Sequence, residues 1–122
     1  MEKTNFEKLR VYELAEKLSD DIWEIAKGWN SFARETLGSQ IVRAADSIGA
    51  NIAEGSGRGS DADHRRFLRM ARGSLYETQH WLRRAYKRRL LTVSQVDILR
   101  PVVQELTPTL NAYLRSIGTQ KK

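Results

Sequence analysis

Ser47-Ile48-Gly49-Ala50-Asn51-Ile52-Ala53-Glu54-Gly55 is the stretch that decides how this chain folds. Its isoleucines close a series, Leu37, Ile41, Ala45, Ile48 and Ile52, at spacings of 4, 4, 3 and 4, which is one buried face of a helix. Gly55, Gly57 and Gly59 are expected to end that helix in a turn, with Ser60 or Asp61 capping the next one. The next helix would be buried through Phe67, Ala71, Ser74, Leu75, Thr78, Leu82 and Ala85, with acids in its first turn to suit its dipole.

The same periodicity extends in both directions. Upstream, Val11, Leu14, Leu18, Ile22, Ile25 and Trp29 form one helix face, stopped by Gly28 and the polar Asn30-Ser31. Downstream, Thr92 and Gln95 have capping-box spacing. Val96, Leu99, Val103, Leu106, Leu110, Tyr113 and Ile117 then repeat with the 3.5-residue period of bundle packing. Pro101 and Pro108 inside that stripe are expected to kink or restart the helix, and Gly118 to stop it. The expected helices are 8–28, 35–56, 61–90 and 93–117, with 119–122 frayed. Short connections make them an all-α, antiparallel up-and-down four-helix bundle, a single domain over residues 1–122.

Three segments carry a resemblance beyond periodicity: Phe6 to Tyr12, Gln40 to Gly55, and Phe67 to Glu77. They resemble the pattern F-x-x-L-x-V-W/Y, Q-I-x-R-A-A-x-S-I-x-x-N-I-A-E-G and F-x-x-F-L-x-x-A-x-G-S-L-x-E, with His64 in place of the third segment's first aromatic. The pattern is that of the bacterial four-helix-bundle proteins encoded in intervening sequences of large-subunit ribosomal RNA genes, and the likeness covers nearly the whole chain. The chain departs from it at Gly49, where proline is usual, and at Lys87-Arg88-Arg89-Leu90-Leu91, where a Gly-Tyr-type turn is common. The resemblance implies a four-helix bundle and a homopentamer. It also relates the chain to the accessory proteins of diversity-generating retroelements, basic pentameric bundles that serve a reverse transcriptase. Arg43, Asn51, Glu54 and Glu77 are the polar positions of the motifs; Asn51, Glu54 and Glu77 are expected to match arginines such as Arg43 or Arg69 within or between subunits, with a surface ion pair of little value as the equal alternative.

Composition narrows the classes further. The 122 residues suffice for one core, and the absence of cysteine excludes disulfides and thiol chemistry. No apolar run approaches a membrane span and no signal-peptide core follows Met1, so a cytoplasmic protein is expected. The formal charge is +6 and uneven. Ten Lys/Arg face Asp61, Asp63 and Glu77 between Arg58 and Arg89, a local +7 that leaves −1 for the rest of the chain. Charge concentrated on one element suggests a polyanionic partner.

No residue set supports catalysis. Gly55-Ser56-Gly57-Arg58-Gly59-Ser60 follows a helix and lacks the lysine of a phosphate loop. Glu77-Thr78-Gln79-His80 is the half-motif of di-iron bundles, but both ligands fall off the core direction and no second copy exists. Neither a metal nor a cofactor is expected, and no enzyme activity.

The basic stripe Arg65, Arg69, Arg72, Tyr76, His80, Arg83 and Lys87 falls opposite the core on a helical wheel. A solvated surface face is the plain explanation. Against it, the stripe has almost no acidic partners, prefers Arg to Lys, and contains aromatic rings that stack on unpaired bases. It is therefore the candidate RNA or DNA contact, phosphate-led and without base reading. Gly73 inside the third helix, with Met70 and Trp81 nearby, and Tyr12 and Trp23 on the first helix, make an apolar surplus that suggests a subunit interface. The competing class is a protein-interaction scaffold whose arginines meet an acidic protein.

Overall fold

The computed structural model describes residue 6 and residues 9–118. Four long helical elements occupy them, and no strand occurs among the described residues. Helix α1 is Arg10–Ala26. A turn of α-helix, Ser31–Ala33, a π-helical turn, Arg34–Gly38, and an α-helix, Ser39–Ser56, follow one another directly and are together called α2. Helices α3, Asp61–Lys87, and α4, Val93–Ser116, complete the bundle. Each helix packs on its neighbours in sequence and α4 returns to α1, so the four form a ring; α2 and α3 are the most intimately packed pair, and α3 and α4 the loosest.

The core follows the periodicity closely on α1 and α2 and is displaced from it on α4, where Val102 and Leu114, outside the expected stripe, are buried. Leu18, Ile48, Ile52, Leu75, Leu106 and Leu110 are fully buried. Leu68, absent from the expected face of α3, is buried with them, and so is the methyl-bearing Thr78, whose hydroxyl donates to the Ser74 carbonyl at 2.7 Å. On α4 the buried line runs through Leu99, Val102, Leu106, Leu110 and Leu114. Val96, Val103, Tyr113 and Ile117 of the expected stripe are only half-buried, because that side faces α3 across the looser seam.

Several boundaries differ from expectation for local reasons. Helix α2 begins at Ser31 rather than 35 because the Asn30 side chain accepts from the Ala33 N–H and caps an earlier turn. Gly55 does not end α2; it is buried within it. A Cβ there would stand 3.1 Å from Phe67 Cβ and 3.0 Å from His64 Cδ2, so glycine is what lets α2 and α3 close on each other. Ser60 caps α3 by accepting from the Asp63 N–H. Helix α3 stops at Lys87, short of 90, with the Leu90 N–H on the Ala85 carbonyl and the Arg89 N–H on that of Tyr86. This is the Schellman closure, with Arg89 at φ 62° in the position usually given to glycine. Thr92 and Gln95 form the expected capping box. Helix α4 does not restart at Pro101 or Pro108; both rings are exposed and lie inside one continuous element. The expected helix start at residue 8 and the expected fraying of 119–122 lie outside the described residues.

Candidate nucleic-acid interface

Helix α3 is 27 residues long and touches both α2 and α4, so its surface divides into three strips. The strip toward α4 is polar and internally engaged. Arg65 donates to the Ile117 carbonyl at 3.0 Å, closing the end of α4, and Arg72 donates to Asn111 Oδ1 at 3.3 Å. Gln79 reaches Thr107 at 3.3 Å, and His64 meets the Tyr113 ring edge-on with its Nε2 3.4 Å from the phenol oxygen. Burial pushes the His64 pKa down, with Asp61 pulling the other way, and burial pushes the Tyr113 phenol up against a smaller opposing effect of Ser56.

Arg65 and Arg72 are therefore corrections to the expected stripe. A wheel drawn from one core direction puts them opposite the core, but α4 covers that side of α3 and holds both guanidinium groups half-buried. Arg69, Tyr76, His80, Arg83 and Lys87 remain on the outer strip and are exposed. Among the described residues, none of the ion pairs involves Arg69, Arg83 or Lys87. Arg58 and Arg66, by contrast, are taken up by Glu54 and Asp63, and both guanidinium groups lie over the Phe67 ring, 4.4 and 4.6 Å from its centroid.

The third strip lies at the α2–α3 seam. Ser47 and Ser74 hydroxyls meet there at 2.8 Å, and the Asn51 amide donates back to Ser47. Asn51 and Glu54 thus find Ser47 and Arg58, within α2 and the turn after it, rather than Arg43 or Arg69. Glu77 accepts from the Trp81 indole N–H at 3.0 Å, and His80 lies edge-on to the same ring. Glu77 and His80 are both exposed, and no group of three His, Asp or Glu suited to a metal occurs among the described residues. Arg43 is exposed one turn before Ser47.

The apolar residues read as an interface have mixed placements. Tyr12 is half-buried against Gly49, where a Cβ would lie 3.4 Å from its ring, and against Phe6. Trp81 is half-buried under its Glu77 bond. Trp23 and Met70 are exposed by 55% and 45%. Gly73 is exposed, and a Cβ built on it meets nothing within 4 Å, so no close approach inside the protomer accounts for it. Phe32, exposed by 78%, is an apolar surface residue that the periodicity missed, since it lies before the expected start of α2.

These features define a small four-helix bundle with a cationic outer strip on its longest helix. The sequence profile of the 23S rRNA-intervening sequence protein family matches residues 7–112, and the chain belongs to that family. It is similar to the crystal structure of a protein of unknown function from the S23 ribosomal protein family of Bacteroides thetaiotaomicron. The two share 24% identity over 87% of this chain and 99% of that one, with a TM-score of 0.76, a likeness of fold. Comparison with curated proteins finds no match. No helix among the described residues is long and apolar enough to cross a membrane.

Proposed function

We propose that this chain is a non-enzymatic, self-associating bundle that binds RNA or DNA with little sequence preference through the outer strip of α3. The observation that carries the reading is the group Arg69, Arg83 and Lys87, exposed and without an ion pair among the described residues, with Tyr76 and His80 between them. Guanidinium forks suit phosphate oxygens, and an exposed phenol offers a stacking face. The family's description makes ribosomal RNA the first ligand to try, and the resemblance to retroelement accessory bundles makes a reverse transcriptase the second partner.

Self-association is supported by Gly73, which costs a helix interior about 1 kcal/mol relative to alanine and has no neighbour inside the protomer to justify it. Exposed Met70 lies on the same helix, and Trp23 and Phe32 add apolar surface elsewhere. The resemblance supplies the number five.

The test is salt-dependent binding. Three phosphates neutralised per protomer give a log–log salt slope of roughly −3 on duplex DNA, steeper if several protomers engage one strand. The Arg69→Glu/Arg83→Glu double variant is expected to abolish binding with helicity and oligomer mass unchanged. Binding that survives this reversal, or that ignores salt, leaves the scaffold for an acidic protein as the standing alternative.

A further inference from the structure

Between α3 and α4, near the corner that joins them, the loose seam opens into a groove of about 380 Å³. Its floor is apolar, built from Leu82, Leu91, Leu99 and Val103. Its rim is not. Arg83 and Tyr86 stand on the α3 side, Arg100 and Gln104 on the α4 side. All four rim residues are exposed, Tyr86 by 58%, and no hydrogen bond or ion pair engages Arg83, Arg100 or Gln104 among the described residues. No acidic residue lines it.

We propose that this groove takes one unpaired base of a single-stranded nucleic acid, with the phosphates on either side of that base held by Arg83 and Arg100. The inference rests on the nucleic-acid reading of α3 and adds to it the strand type and a base-holding site. Three observations favour this occupant. First, Arg83 belongs both to the outer cationic strip and to the groove rim, so a strand tracking the strip arrives at the groove. Second, an apolar floor beside an exposed phenol provides two surfaces for a flat ring, and the Gln104 amide carries both a donor and an acceptor for a base edge. Third, two unpaired cations across the mouth match a ligand that is apolar in its middle and anionic on both sides. A duplex cannot present such a group without unstacking it, so the groove selects single strands.

The test compares a labelled 12-nucleotide uridine or adenosine oligomer with an abasic oligomer of the same length and charge. Intact protein is expected to bind the base-bearing strand on the order of tenfold more tightly, the size of one stacked base. Tyr86→Ala and Arg100→Ala, both surface changes, are expected to remove that preference while duplex affinity changes little for Tyr86→Ala. In a parallel titration with adenosine monophosphate, the backbone amide resonances of Leu91 and Val103 should shift. Equal binding of both oligomers, with binding still lost in Arg69→Glu/Arg83→Glu, overturns the groove and keeps the cationic strip. No binding of any nucleic acid overturns both. Resonance shifts at Leu91 and Val103 with octanoate but not with the nucleotide overturn the base and leave an acyl ligand in its place.

Discussion

At the residue scale, three positions show how a glycine's value depends on what its missing Cβ would meet. Gly55 sits at the α2–α3 crossing, where a Cβ would press on backbone and Cβ atoms of His64 and Phe67. Gly55→Ala is expected to destabilise by about 1–3 kcal/mol through overpacking, read as a lower urea midpoint. Gly73→Ala meets open space and should stabilise the protomer by about 0.5–1 kcal/mol. Arg89 is the converse case, a residue with a Cβ at φ 62°; Arg89→Gly should add about 1 kcal/mol, whatever it does to binding. His64 contributes a pH dependence. Packed against Gly55 and Tyr113, with Asp61 one turn before it, it holds a proton less firmly than the unfolded chain does. The unfolded chain therefore takes up the proton first, and stability falls as pH drops below the ordinary histidine value of about 6.5. The urea midpoint should fall between pH 7.5 and 5.5 by more in the wild type than in His64→Gln. Glu105, held below the usual carboxylate range by its two bonds to Arg10, contributes above its unfolded value and loses that contribution only at lower pH.

At the scale of elements, the apolar repeat made the number and order of the helices and the buried faces of α1 and α2 legible, missed Leu68, Val102 and Leu114, and cap chemistry fixed two starts. Ser60 and the Thr92–Gln95 box act as their spacing says. Replacing Thr92 by Ala should cost about 1 kcal/mol and loosen the first turn of α4, measurable as faster amide exchange at Gln95. Periodicity could not place what depends on a second helix. Gly55 reads as a stop because its neighbours in sequence are glycines, while its reason lies across the seam at Phe67. Arg65 and Arg72 read as surface for the same cause, since a wheel has one core direction and a bundle helix has two neighbours. Only the Arg69, Tyr76, His80, Arg83 and Lys87 part of the strip was legible from one helix alone. The π-helical turn at Arg34–Gly38 left no such trace in the spacing, because Leu37 and Ile41 keep their interval through it.

At the scale of the whole molecule, charge and apolar surface set what one protomer lacks. A protomer carrying +6 with Trp23, Phe32 and Met70 exposed has apolar area to bury and charge that resists burial. Assembly is expected to use apolar flanks and leave the α3 strip outward, where several copies of three free cations would act on one strand with a high effective concentration. Light scattering at micromolar protein should then give a mass several times the 14.0 kDa of the protomer, five times if the resemblance holds in number. Gly73→Leu separates assembly from folding. Its side chain enters open space in the protomer, so helicity should hold and the urea midpoint should not fall, while a copy packed against that surface would be displaced and the mass should drop. Nucleic-acid affinity should fall with it even though no cation is lost, because the strand then meets one strip instead of several. A variant that stays assembled would show that Gly73 lies outside the interface, and a wild-type mass of one protomer would remove self-association altogether.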